Sequence, residues 1–103
     1  MKDIIWKIEK WKVKDLIPAD YNPRKLSDKA RADLQESVNR FGQVEPLAAN
    51  TNGTLIGGHQ RIKIYADLDI KETMVMIPSR KLSVKEEKEL NIRLNKNVGE
   101  WDW

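Results

Sequence analysis

The sequence predicts an α+β domain. Three stretches repeat apolar residues at helical spacing, and four short apolar or β-branched runs lie between and before them. The length agrees, because 103 residues suit one domain, spanning 1–103, around a single core.

From Met1 to Lys14 the chain alternates loosely, with Ile5, Trp6, Ile8, Trp11 and Val13 separated by Lys and Glu. Lys7 to Val13 reads as a strand with one irregularity, a bulge, and its charges face water. Asp15-Leu16-Ile17-Pro18 opens a loop that continues into Asp20-Tyr21-Asn22-Pro23-Arg24. Asn22 precedes proline and is pushed from helical angles, and Pro23 fixes its own φ, so Arg24 is held at a defined place. Such a loop reaches a phosphate or serves as an ordinary solvated turn.

Ser27 to Phe41 is the clearest helix: Ser27 caps it, Ala30, Leu34, Val38 and Phe41 share a face, and Gly42 supplies a left-handed stop. Gly42-Gln43-Val44-Glu45-Pro46 leads to a short strand, Leu47-Ala48-Ala49. Asn52-Gly53 signals a type I′ hairpin, and Thr54-Leu55-Ile56 is the return strand. A helix with Ile62, Tyr65 and Ala66 on one face runs to Asp67 or Leu68. Thr73-Met74-Val75-Met76-Ile77 is a continuous apolar run, read as a strand buried on both faces with its methionines as filler. Ser83-Val84-Lys85-Glu86 is a capping box, opening a helix towards Asn97 with Leu90 and Leu94 as its stripe and Asn91 and Asn95 beside it. Gly99 ends it before Glu100-Trp101-Asp102-Trp103.

The chemistry concentrates where strand meets helix, at Ile56-Gly57-Gly58-His59-Gln60-Arg61. Paired glycines let backbone approach a ligand, since no Cβ intervenes. The first N–H groups of a helix lack partners within it, and the helix dipole favours an anion there. Arg61 in the first turn adds a permanent charge with five donors. On local physics alone the same glycines serve equally as a tight turn, with His59 as a cap or a half-buried side chain.

Composition narrows the field. Cysteine is absent, which removes disulfides, cysteine-ligated zinc and thiol nucleophiles. One histidine rules out a multi-histidine metal site within one chain, so no metal ligands are assigned. No run approaches the roughly 18 apolar residues of a membrane span, and no charged-then-apolar leader opens the chain. A cytoplasmic protein without membrane contact is expected. Nineteen Lys+Arg against 16 Asp+Glu give a net charge of +3, which permits a nucleic-acid partner without demanding one.

The order Ile17-Pro18, Asn22-Pro23-Arg24, a helix ending in Gly42-Gln43, Glu45-Pro46-Leu47 and Ile56-Gly57-Gly58-His59-Gln60-Arg61 resembles the ParB-like N-terminal domain of the ParB/sulfiredoxin fold. Asn95-Lys96-Asn97 resembles its asparagine-bearing helix, and the match covers about residues 9–98. The resemblance implies a small mixed sheet with three main helices, and in the partition-protein branch CTP binding with Mg²⁺. It implies phosphate-binding roles for Gly42, Gln43, Gly58 and Arg61, with Asn95 as the match in the closing helix and Arg24 in the first loop. Gly57, His59 and Gln60 complete the candidate set as neighbours in the same box.

This sequence departs from the partition branch at two positions. His59 stands where that branch has glutamate, and Gln60 where it has arginine. Losing the carboxylate weakens the case for hydrolysis, and losing a guanidinium weakens triphosphate binding. The sulfiredoxin activity requires the cysteine this chain lacks. The box, with Asn-Lys-Asn and Glu-Trp-Asp-Trp, looks most like ParB-like domains at the front of phage and mobile-element proteins, including DNA methyltransferases; a domain trimmed from a longer protein is expected.

The expected function is therefore a nucleotide- or phosphate-binding module, with CTP or another nucleotide and Mg²⁺, in a DNA-associated protein. The alternatives are a DNA-binding or targeting domain using Lys25, Arg40, Arg61 and Lys63, and an enzyme, either the ParB-like nuclease or a small-molecule kinase, using His59 with Glu45 as acid and base. Trp101 and Trp103 would anchor a homodimer or further domains.

Overall fold

A computed structural model describes residues 3–20 and 26–100, with side chains to residue 94. Arg24, Lys25, Trp101, Trp103 and the Asn95 side chain lie outside the described residues. The chain forms β1 (Trp6–Lys12), a single 3-10 turn (Val13–Asp15), α1 (Asp28–Phe41), β2 (Leu47–Ala49), β3 (Leu55–Gly57), α2 (His59–Asp67), β4 (Glu72–Pro78) and α3 (Val84–Glu100). The four strands make one mixed sheet in the order β1-β4-β2-β3. β1 is antiparallel to β4, β4 is parallel to β2, and β2 and β3 form a hairpin. The expected α+β class, mixed sheet and three helices are all present.

The register explains the layering. Leu47 stands beside Val75, and both are fully buried; with Leu16, Leu55, Ile62, Ile64, Tyr65 and Ile77 they form the core on the face that carries α1 and α2. Ala48 stands beside Met76 and Gly57, so those residues face the other way. There α3 covers β3: Leu94 lies over Gly57, and the buried Asn91 amide donates to the Ile56 carbonyl at 2.8 Å.

The ends of the helices follow local chemistry. Ser27 Oγ accepts from the Ala30 N–H, and Gly42 closes α1 at φ +73°. Ser83 and Glu86 form the reciprocal capping box of α3, at 2.9 and 3.1 Å. Arg80, and after it the Ser83 N–H, hold the Glu86 carboxyl down to about 2. Arg31 on α1 pairs with Asp67 at the end of α2.

Five local expectations need correction. α3 runs through Gly99 to Glu100, so that glycine does not end it. β1 pairs with β4 without a bulge, because the chain turns into the 3-10 segment at Val13 instead of bending within the strand. The β2–β3 loop is not type I′: among its non-glycine residues none has positive φ, and only Gly53 does, at +93°. The Gly53 N–H closes onto the Asn50 carbonyl at 2.9 Å, which makes a three-residue loop with glycine in the left-handed position. β4 is buried on alternate residues, Thr73, Val75 and Ile77, and Met74 is exposed, since α3 packs mainly on β3. Phe41 is also exposed, lying at the end of α1 under the Arg40 guanidinium.

Candidate functional site

The strand-to-helix turn is set by Gly58, which occupies the N-cap of α2 at φ +97°. That left-handed angle favours glycine. A Cβ on Gly58 would lie 2.3 Å from Leu47 Cδ2, and one on Gly57 would lie 2.9 Å from Leu94 Cδ1. The sequence leaves these glycines open between ligand approach and a tight turn; the structure gives them a packing reason, because β2 and α3 press against the turn. The N-cap residue of α2, Gly58, has no side chain to offer its amides, in contrast to the serine at the start of α1. The start of α2 thus has the dipole and amide geometry of an anion seat.

Arg61 leans back over that seat. Its Nη1 donates to the Glu45 carbonyl at 2.9 Å, and its Nη2 lies 3.5 Å from where a Gly58 Cβ would stand. This arrangement brings Gly42, Glu45 and Arg61 to one cavity of about 280 Å³, floored by Leu34 and Val38 of α1 and by Tyr65. Gln43 fixes the loop between them. Its amide nitrogen donates to the Met74 carbonyl at 2.9 Å, and its oxygen accepts the Met74 N–H at 2.7 Å. The side chain thereby takes the ladder position that β2, starting at Leu47, leaves open beside β4.

Tyr65 was read from sequence only as an apolar-face residue. It is buried, and burial pushes its phenol up; the Arg61 charge and hydrogen bonds with Gln43 and Arg61 act in the opposite sense. It lines the same cavity as Arg61. Its position one turn after Arg61 was the available signal.

His59 points elsewhere. It is buried, and its Nε2 accepts the Ala19 N–H at 3.1 Å, so the ring proton sits on Nδ1. Burial, and then the Lys63 charge, hold it below the usual histidine range. No hydrogen bond joins it to Glu45, whose side chain is exposed, so the proposed acid–base pair is not assembled. Asp67 and Asp69 are each held by a cation, Arg31 and Lys71. Among the described residues no group of three His, Asp or Glu could hold a metal ion, and no helix is long and apolar enough to cross a membrane. From α3, the described asparagine that meets the turn is Asn91, through the Ile56 carbonyl.

Comparison with known proteins converges on one family. The ParB N-terminal domain model matches residues 5–98. Among solved structures, the C2221 form of a Pnob8-like ParB-N domain is 25% identical with a TM-score of 0.74, covering 91% of this chain and 37% of that one. A pNOB8-like ParB N-domain is 24% identical with a TM-score of 0.73, at 91% and 34% coverage. The C-terminally truncated chromosome-partitioning protein ParB from Caulobacter crescentus, complexed with CTP-gamma-S, is 20% identical with a TM-score of 0.75, at 86% and 52% coverage. The chain spans from a third to about half the length of these structures. Among curated proteins, none matches it.

Proposed function

The chain belongs to the ParB N-terminal domain family, and from that premise we propose that it is the nucleotide- or phosphate-binding module of a DNA-associated protein. One observation carries the reading: the Arg61 guanidinium is anchored on the Glu45 carbonyl beside the start of α2, whose N-cap is the left-handed Gly58. A phosphate there would meet backbone amides of the first turn and the remaining Arg61 donors. The likeness in fold to a ParB solved with CTP-gamma-S supports a nucleoside triphosphate as the ligand, CTP first among them.

In this reading Gly58, Gln60 and Arg61 would take the phosphates from one side and Gly42 and Gln43 from the other. Arg24 and Asn95 belong to the same proposal on sequence grounds. Mg²⁺ would arrive on the triphosphate. The residues disfavour hydrolysis, because His59 is committed to Ala19 and the box between Gly57 and Arg61 carries no carboxylate. We assign the protein to the phage, mobile-element or DNA-modification branch on the residues Gly57–Arg61 and Trp101–Trp103, with DNA as partner of the full-length protein and the cytoplasm as its setting.

Calorimetry with CTP, ATP and GTP in Mg²⁺ tests the proposal. Wild type is expected to bind at least one of them, and Arg61→Ala to bind it about ten- to a hundredfold more weakly, the usual effect of losing a charged hydrogen bond. No heat with any nucleotide overturns the reading.

A further inference from the structure

β1 ends the sheet, and β4 is its only hydrogen-bonded neighbour among the described strands. The hydrogen-bond phase of that pair can be read from its end. The Val13 N–H donates to the Lys71 carbonyl at 2.9 Å, and Val13 faces Lys71 by extension of the register Lys12↔Glu72. Odd-numbered residues of β1 therefore bond to β4. Even-numbered ones, Trp6, Ile8, Lys10 and Lys12, turn their N–H and C=O groups outward. This edge is long for an unpaired one, and Ile8, one residue before its midpoint, is 61% exposed. Open edges of this kind pair with other strands unless charge forbids it.

Charge here does not forbid pairing; it selects a register. Two copies related by a two-fold axis normal to the sheet pair antiparallel, and only residues of the same face can oppose each other. An axis through Lys7, Glu9 or Lys10 sets like charges face to face. An axis through Ile8 sets Lys7 against Glu9 twice and Trp6 against Lys10 twice, and it brings the two exposed isoleucines together. The same register places Ile5, 64% exposed, opposite Trp11 of the other copy. Outward groups meet outward groups at Ile8↔Ile8 and Trp6↔Lys10, so the ladder closes. Opposite charges and a cation over an aromatic ring both favour a cross-strand pair.

We propose that β1 is a self-association edge, through which two copies of this chain join their sheets into one continuous eight-stranded sheet centred on Ile8. The surface is separate from the α2 turn, so the proposal stands or falls independently of nucleotide binding. Short strands and exposed ion pairs make the association weak and reversible.

Sedimentation or light scattering across a concentration series tests it. Wild type is expected to move from one chain mass towards two. Lys7→Glu opposes Glu9 of the other copy and is expected to stay monomeric, whereas Lys7→Glu combined with Glu9→Lys restores the pairing and the doubled mass. The protein has no cysteine, so single thiols report geometry directly. Opposed Cα atoms in a bonded antiparallel pair lie about 5.5 Å apart, within disulfide range. Ile8→Cys is expected to cross-link to dimer under mild oxidation. Lys12→Cys is not, since its two copies would lie about 26 Å apart at 3.3 Å per residue. A wild type that stays monomeric at millimolar concentration overturns the proposal. So does a dimer that Lys7→Glu leaves intact, or cross-linking of Lys12→Cys as efficient as that of Ile8→Cys.

Discussion

His59 shows how much one side chain's partner decides. As acceptor from Ala19 it must be neutral at Nε2, and a proton there would set two donors against each other. Its folded value lies below the ordinary 6.5. In the window between the two values the unfolded chain binds more protons than the folded one, so stability rises with pH there. The melting temperature of wild type is expected to fall as pH drops below about 6.5, and His59→Gln is expected to flatten that slope. A slope unchanged in the variant would show that other groups set it. From sequence, His59 was a candidate ligand or base. Nothing local predicted Ala19 as its partner, because the contact spans 40 positions of chain. Arg61 was legible for the opposite reason: its place in the first turn of a helix follows from the glycines just before it.

Among the elements, the helices were easiest to read. Ser27 and Ser83 announce starts, Gly42 a stop, and the structure uses all three as caps. The strands were harder, since a run such as Thr73–Ile77 looks alike whether one face or two are covered. Tertiary placement of α3 over β3 decided that point, and so exposed Met74. β4 also carries a local cost. Thr73 is buried, and its hydroxyl is the one buried side-chain polar atom without a partner among the described residues. Thr73→Val keeps the shape and removes the orphan. It is expected to stabilise the domain by about 1 kcal/mol, which corresponds to roughly 4–8 °C in melting temperature for a chain of this size. A lower melting temperature would mean that the hydroxyl is satisfied in solution.

For the whole molecule, the decisive links are polar and long-range, and these were the least legible. Asn50, fully buried at the hairpin, accepts the Leu82 N–H at 2.9 Å and donates to the Leu82 carbonyl at 2.8 Å and to buried Glu87. It fastens the β2–β3 hairpin to the start of α3. Sequence gave only an asparagine before a turn. Asn50→Asp would remove the donor and face one carboxylate with another. The expected cost is about 3–5 kcal/mol at neutral pH, the range for breaking a buried charged network. Denaturant midpoints of wild type and variant at pH 7 check it. The family and its fold were readable because motif order survives where single motifs are ambiguous, and the match over residues 5–98 agrees.

Gln43 acts on backbone beyond its own loop. By offering its amide to both backbone groups of Met74, it serves as a borrowed peptide unit and lengthens the sheet by one rung without lengthening the strand. The loop from Gly42 to Glu45 therefore inherits the stiffness of β4. On the proposed reading, an anion docking against that loop would find its seat already formed and forfeit little freedom from it. Asparagine, one methylene shorter, cannot span the same gap.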